Sequence, residues 1–218
     1  MSDPIVDVLA RTAVVSLTAT VIASAIGIPL GTALGLARVP GRRVVTALVN
    51  TGMAVPTVVV GLVVAVVLWR SGPLGDLELI YTLRGMVIAQ VLIATPLITG
   101  ITMAALQLLP TELPDQLRSL GASRAQLVLR LWLEARLPLL AAAMAGFGHA
   151  VSEVGAATIV GGNLHGRTQV MTTAIVENVG RGDLRGAVFY AVVLLALAFA
   201  VNALLSSVHQ RGTAWARR

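Results

Sequence analysis

The sequence predicts an all-α polytopic membrane protein with about five transmembrane helices and one large polar loop. Hydrophobic residues make up 56% of the 218 residues and charged residues 12%, with a mean hydropathy of +0.87. A soluble domain of this size is much less apolar. The charges are also grouped between uncharged runs long enough for a spanning helix, which needs about 20 residues. These observations indicate a single transmembrane domain over residues 1–218, with spans at residues 12–37, 44–69, 85–109, 137–160 and 186–208.

The first span carries glycines at every fourth position, Gly27, Gly31 and Gly35. This small-residue spacing allows two helix backbones to approach closely in a membrane. Simple tolerance of glycine in the bilayer is the alternative. The second and third spans contain Pro56 and Pro96, and each proline removes a helical hydrogen bond. We expect kinks there, either lining a pathway or serving the packing alone.

The fourth span is short, because only 16 uncharged residues separate Arg136 from Glu153. Either the arginine reaches back to the membrane surface or the carboxylate enters the membrane. The following residues, 154–184, are apolar in pieces and broken by glycines. Because irregular backbone at membrane depth must be buried in protein or line a cavity, we expect a bent or re-entrant segment beside a pathway.

The polar loop, residues 112–136, is predicted to form two short helices separated at Gly121-Ala122-Ser123. The glycine can end the first helix, and Ser123 can cap the second. Two short helices at an angle form a projecting knob that a partner with a groove can bind. An ordinary positively charged connection between two spans is the alternative interpretation.

Charge distribution predicts the orientation of the chain. Placing the Pro40 turn, the polar loop and the C-terminal tail in the cytoplasm puts ten of the sixteen arginines inside. This agrees with the positive-inside rule, and it places the N-terminus outside and the C-terminus in the cytoplasm. The same assignment explains the basic composition without nucleic acid. The acidic start of the chain argues against a cleaved signal peptide, and the lack of cysteine excludes disulfides and thiolate chemistry.

The polar loop resembles the coupling loop of ABC importer permeases. Asp115 stands at the family's glutamate position, Gln116 and Leu117 stand for its two alanines, and Gly121 falls in register. The end of the loop departs from the family pattern, because Glu134 stands at the position of a proline and Leu137-Pro138 lies four residues further along the chain. The resemblance implies contacts with an ATPase subunit through Asp115, Leu117, Gly121, Ala122, Ser123 and Arg124.

A second block, residues 152–175, resembles the corresponding block of the molybdate, tungstate and sulfate permeases, and its sequence is most similar to that of tungstate permeases. The resemblance implies a type I ABC importer transmembrane domain in a prokaryotic plasma (inner) membrane, importing tungstate or, alternatively, molybdate or sulfate. Neutral hydroxyl, amide and backbone donors suit a tetrahedral dianion that must not be held tightly. The substrate pathway is expected to involve Ser152, Glu153, Gly155, Thr158, Gly161, Gly162, Asn163, Thr168, Pro56 and Pro96.

The same resemblance implies a set of partners: a second copy of the chain, two ATPase subunits, an extracytoplasmic oxyanion-binding protein and the lipid bilayer. The chain has no GxxxxGK[ST] or HExxH pattern, so we expect a non-catalytic subunit without a cofactor of its own. ATP and magnesium are expected on the partner ATPase.

Glu153 leaves two interpretations open. Its carboxylate can hold the bent segment by accepting from backbone amides or an arginine, or it can relay protons in a secondary carrier or a membrane enzyme. Many carriers are built from repeated halves, and no internal repeat is apparent here. His149 and His165 could bind a metal, but they lack a carboxylate at ligand spacing, which favours a structural or solvated role.

Overall fold

The computed structural model describes residues 4–36 and 41–215, with side chains as far as residue 207. The predicted turn at Pro40 and the end of the tail lie outside the described residues. Across the described part the chain is helical, with one short 3₁₀ turn at Gly75–Leu77. The α-helices in chain order are α1 (Ile5–Leu36), α2 (Arg42–Ala54), α3 (Thr57–Leu68), α4 (Leu83–Gln107), α5 (Leu113–Ser119), α6 (Arg124–Glu134), α7 (Arg136–Val151), α8 (Gly155–Gly161), α9 (Met171–Gly180) and α10 (Leu184–Trp215).

Helices α1 and α4 form the centre of the fold. Gly27 lies against Ile98, and Gly31 lies against Thr102, so the two helices run parallel in constant register. A Cβ atom on Gly31 would stand 2.6 Å from the carbonyl oxygen of Thr99. The spaced glycines therefore serve close helix packing, as one of the two interpretations predicted.

The second predicted span is two helices instead of one kinked helix. Helix α2 ends at Ala54, α3 begins at Thr57, and their axes differ by 100°. Pro56 lies in the break, where its ring cannot continue the helix. Pro96, in contrast, stays inside the uninterrupted helix α4, so Pro56 marks a complete break and Pro96 does not. The Thr95 hydroxyl donates to the carbonyl of Val91 at 2.7 Å, beside this proline.

The fourth predicted span is also bent, by 58° between α7 and α8. The contacts of this bent pair extend from one end of α4 to the other. Leu139 packs with Leu106 at one end of α4, and Gly161 packs against Met86 at the other. The pair α2–α3 crosses in the same way, from Met103 beside Thr46 to Ala89 beside Leu68. We therefore count each bent pair as one span, which gives five.

The segment after α8 does not form a spanning helix, in agreement with the glycine pattern. It turns at residues 162–170, forms the ten-residue helix α9, and turns again into α10. The amide of Met171 donates to the hydroxyl of Thr12 at 2.9 Å, which attaches this segment to the N-terminal part of α1. The knob formed by α5 and α6 lies at the other end of the fold, beside Leu106 and Leu139.

This arrangement predicts the result of cysteine labelling in the otherwise cysteine-free chain. Ser71, after α3, and Ser119, at the end of α5, are both exposed and lie at opposite ends of α4. Ser71→Cys and Ser119→Cys should therefore react with a membrane-impermeant maleimide from opposite sides of intact vesicles. Labelling from one side would mean that α2–α3 is re-entrant, and the five-span topology would be wrong.

Candidate functional site

The knob consists of α5 and α6, joined by residues 120–123. Gly121 has φ +81°, a left-handed conformation that favours glycine, and a Cβ atom there would meet nothing within 4 Å. Ser123 then caps α6: its hydroxyl accepts from the amide of Gln126 at 3.3 Å, and the Gln126 side chain accepts from the amide of Ser123 at 2.8 Å. This reciprocal pair is a capping box. Both local predictions, the glycine break and the serine cap, agree with the structure.

The knob has a buried inner face and an apolar outer face. Leu127 and Leu131 are buried against Leu106 and Leu139. On the outside, Leu120 is 84% exposed and Leu129 is 57% exposed. Charged residues lie beside this surface, where Asp115 is paired with Arg118 at 2.9 Å. Arg124 and Ala122 line a recess between the knob and α1. An apolar outer surface on a polar loop is the arrangement expected for docking a partner.

The second region of interest is the break between α7 and α8. Glu153 is only 5% exposed, and its carboxylate accepts from the amide of Ala156 at 2.8 Å. Its backbone carbonyl accepts from the Thr172 hydroxyl at 2.8 Å. The side chain thus satisfies an amide in the first turn of α8, and the main chain attaches the break to α9. This is the expected acceptor role of Glu153 towards backbone amides.

The two helix breaks lie side by side. A Cβ atom on Gly155 would stand 2.6 Å from Val58, and one on Gly61 would stand 2.5 Å from the Cα of Ala156. Helices α3 and α8 therefore run parallel, with their N-terminal ends adjacent. Pro56, Ser152 and Thr158 are exposed around these ends. The hydroxyl of Ser152 donates to the His149 carbonyl at 3.2 Å, and that of Thr158 donates to the Val154 carbonyl at 2.8 Å.

The position of Thr168 does not suit the role in the substrate pathway that the sequence predicted. It is 1% exposed, its hydroxyl donates to the carbonyl of Gly161, and it accepts from the amide of Leu164 at 3.0 Å. A hydroxyl has one proton, so this threonine has none to donate to an anion in this conformation. Its predicted role as an anion donor therefore does not fit the structure. Gly161 and Gly162 make room for Met86 and Tyr81, respectively, which is a packing role.

Asn163 is part of a polar network centred on Glu177, a residue that sequence reasoning missed. The Asn163 amide nitrogen donates to the Glu177 carboxylate at 2.9 Å, and the Gln169 side chain donates to the same oxygen. Arg181 pairs with this carboxylate from the next turn of helix, and His165 lies 3.3 Å from it. The four-residue spacing of Glu177 and Arg181 was the available signal. The Asn163 bond helps to hold the turn, whose residue 163 has φ +47°.

Pro56, Ser152 and Thr158 thus lie together at the breaks, while Asn163 and Thr168 lie in the turn after α8. Pro96 is half-buried on α4 and lies against Gly52, in the last turn of α2 before the break at Pro56. His149 is near the first group through its carbonyl contact with Ser152.

Comparison with known proteins identifies the family. Residues 27–212 match the model of the binding-protein-dependent transport system inner membrane component. The chain belongs to this family. It is 40% identical over 196 residues to a tungstate uptake system permease protein of Peptoclostridium acidaminophilum, covering 90% of this chain and 86% of that one. It is 38% identical over 205 residues to a probable anion ABC transporter permease protein of Haloferax volcanii, covering 92% and 88%.

Solved structures support the same fold. An inward-facing methionine ABC transporter superposes with a TM-score of 0.78 at 21% identity, over 97% of this chain and 99% of that one. The type I ABC importer fold is therefore confirmed, and the resemblance of the sequence to the tungstate and sulfate permease group is confirmed by the relatives. The chain is accordingly a multi-pass inner-membrane component of an ABC importer.

The contact of Glu153 with Ala156 predicts different effects for two substitutions. Glu153→Ala leaves a buried amide without an acceptor and should lower the free energy of unfolding by about 1–3 kcal/mol. Glu153→Gln keeps an acceptor oxygen and should retain most of the stability and part of the transport. Thermal unfolding of the purified complex in detergent measures the difference. A proton relay predicts instead that both variants are equally inactive in transport.

Proposed function

We propose that this chain is the membrane subunit of an ATP-driven importer for a tetrahedral oxyanion, with tungstate as the first candidate and molybdate or sulfate as alternatives. The observation that carries the proposal is the high identity to a tungstate uptake permease over nearly the whole of both chains. A sulfate transport permease of Synechocystis is 27% identical over 213 residues, which makes sulfate the more distant alternative.

In this proposal two copies of the chain form the pathway, and each knob docks into a separate ATPase subunit. Support comes from the outer face of the knob, where Leu120 and Leu129 are exposed in a polar loop. ATP and magnesium bind to the partner, and this chain carries no cofactor and performs no hydrolysis. An extracytoplasmic binding protein delivers the anion at the opposite end, near the N-terminus, while the C-terminus is cytoplasmic.

We place the anion path beside the adjacent N-terminal ends of α3 and α8. Glu153 already occupies an amide of α8 with its own carboxylate, so that end is closed to an anion. The start of α3, with Pro56 as its cap residue, has no side-chain acceptor on its first amides. The exposed hydroxyls of Ser152 and Thr158 can turn from their local backbone carbonyls towards a passing oxyanion. Such neutral donors bind without holding the anion tightly.

The rival function is a secondary carrier or membrane enzyme that uses Glu153 as a proton relay. Its carboxylate is buried and engaged with a backbone amide, which supports the structural role. Uptake that follows a proton gradient without ATP would favour the rival.

The knob is tested with a matched pair of glycine variants. Gly121 and Gly182 both have left-handed backbone, at φ +81° and +77°, and open space around the missing Cβ. Valine strains both positions in the same way, but only Gly121 lies on the knob. Gly121→Val should greatly reduce ATPase association and transport, whereas Gly182→Val should retain both. Co-purification and uptake in vesicles measure these effects, and equal behaviour of the two variants would show that the knob is only a connector.

The substrate is tested by reconstituting the complete importer with its ATPase and binding protein in proteoliposomes. Tungstate should stimulate ATP hydrolysis more than molybdate at equal concentration, and sulfate should stimulate least. Ser152→Ala and Thr158→Val remove exposed hydroxyls, so each should lower anion uptake while leaving the assembled complex intact. Stimulation by a substrate that is not an oxyanion, with no response to any oxyanion, would contradict the proposal.

A further inference from the structure

Trp132, on the inner side of the knob helix α6, makes a hydrogen bond that spans 100 residues of sequence. Its indole Nε1–H donates to the hydroxyl oxygen of Thr32, on α1, at 2.8 Å. The same hydroxyl donates to the carbonyl of Ile28 at 2.7 Å. Thr32 is 4% exposed, so both its donor and an acceptor lone pair are used away from water. An indole that only anchors a helix at the membrane surface needs no such protein acceptor.

The position of Thr32 in α1 gives this bond its importance. The preceding residue, Gly31, is the point where a Cβ would come within 2.6 Å of α4. About one turn of helix away, Ile98 of α4 fits between Gly27 of α1 and Gly146 of α7. The bond therefore joins the knob to a part of α1 that packs closely on α4.

We propose that Trp132 and Thr32 form a mechanical connection that makes α1 move together with the knob, in addition to the covalent continuation of the knob into α7. The inference rests on the proposed function, because it concerns how movement of the docked ATPase reaches the membrane helices. Without the bond, the knob can rock on Leu127 and Leu131, whose apolar contacts have no fixed direction, while α1 stays in place. Trp132 and Thr32 are then positioning residues whose loss separates ATP hydrolysis from transport.

The test measures anion transported per ATP hydrolysed in proteoliposomes that contain the complete importer. Trp132→Phe removes the donor but keeps an aromatic ring, and Thr32→Val removes the acceptor at similar volume. Each should lower the ratio by roughly two- to tenfold, the factor that corresponds to one hydrogen bond, while ATP hydrolysis continues. The double variant should be no worse than either single variant, because both remove the same interaction. Thr32→Ser keeps the hydroxyl and should retain the wild-type ratio of anion transported per ATP hydrolysed.

Thr20→Val is the matched control. Thr20 is also a buried threonine of α1 whose hydroxyl bonds four residues back, to Ser16 at 2.7 Å, but no cross-helix bond to it is seen among the described side chains. This variant should keep the wild-type ratio. Unchanged ratios in Trp132→Phe and Thr32→Val, additive losses, or parallel loss of assembly and hydrolysis would each overturn the connection. A wild-type complex that no oxyanion stimulates would overturn the proposed function as well, so the two failures are distinguishable.

Discussion

The fold depends on the close parallel packing of α1 on α4. Lipid tails are as apolar as leucine, so helices in a membrane gain little from apolar burial and associate through close van der Waals contact. A Cβ on Gly27 would stand 3.0 Å from Ile98, and one on Gly31 would stand 2.7 Å from Thr102. Helix α1 makes the most extensive contact with α4, and α2, α3, α7 and α8 pack on α4 as well. The broken spans are positioned by this pair.

The two helix breaks, between α2 and α3 and between α7 and α8, show how irregular backbone is stabilised within the membrane-spanning part of the protein. At the α7–α8 break, the Glu153 side chain accepts an amide and its carbonyl accepts the Thr172 hydroxyl, so the polar groups there are satisfied within the protein. At the α2–α3 break, Pro56 removes a donor, and the following helix packs on Gly155 through Val58. The two breaks are thus stabilised differently, one by a buried carboxylate and the other by a proline and close helix packing.

The sequence was sufficient to predict the two helices of the knob and the Ser123 cap, because both depend on local patterns, and it offered close glycine packing as one of two interpretations. It was not sufficient to distinguish Pro56 from Pro96. Both prolines lie in apolar runs, yet one ends a helix and the other is accommodated where Gly52 leaves space for its ring. For Thr168 and Asn163, the sequence did not show which hydrogen-bond partners the fold supplies. Their hydroxyl and amide suit an anion, but the fold brings Gly161 and Glu177 to them first.

Exposed apolar side chains have different meanings in different parts of this chain. The most apolar stretch of α10 has none of its residues buried, and large residues such as Leu195 and Phe199 are 69% and 77% exposed. Lipid can cover that surface, so its exposure requires no protein partner. The knob is polar overall, with Arg118, Arg124 and Arg130 around it, so it lies in water, and there Leu120 at 84% exposure has no lipid to cover it. Because water penalises this exposure, the apolar face of the knob supports the proposed docking of a partner there.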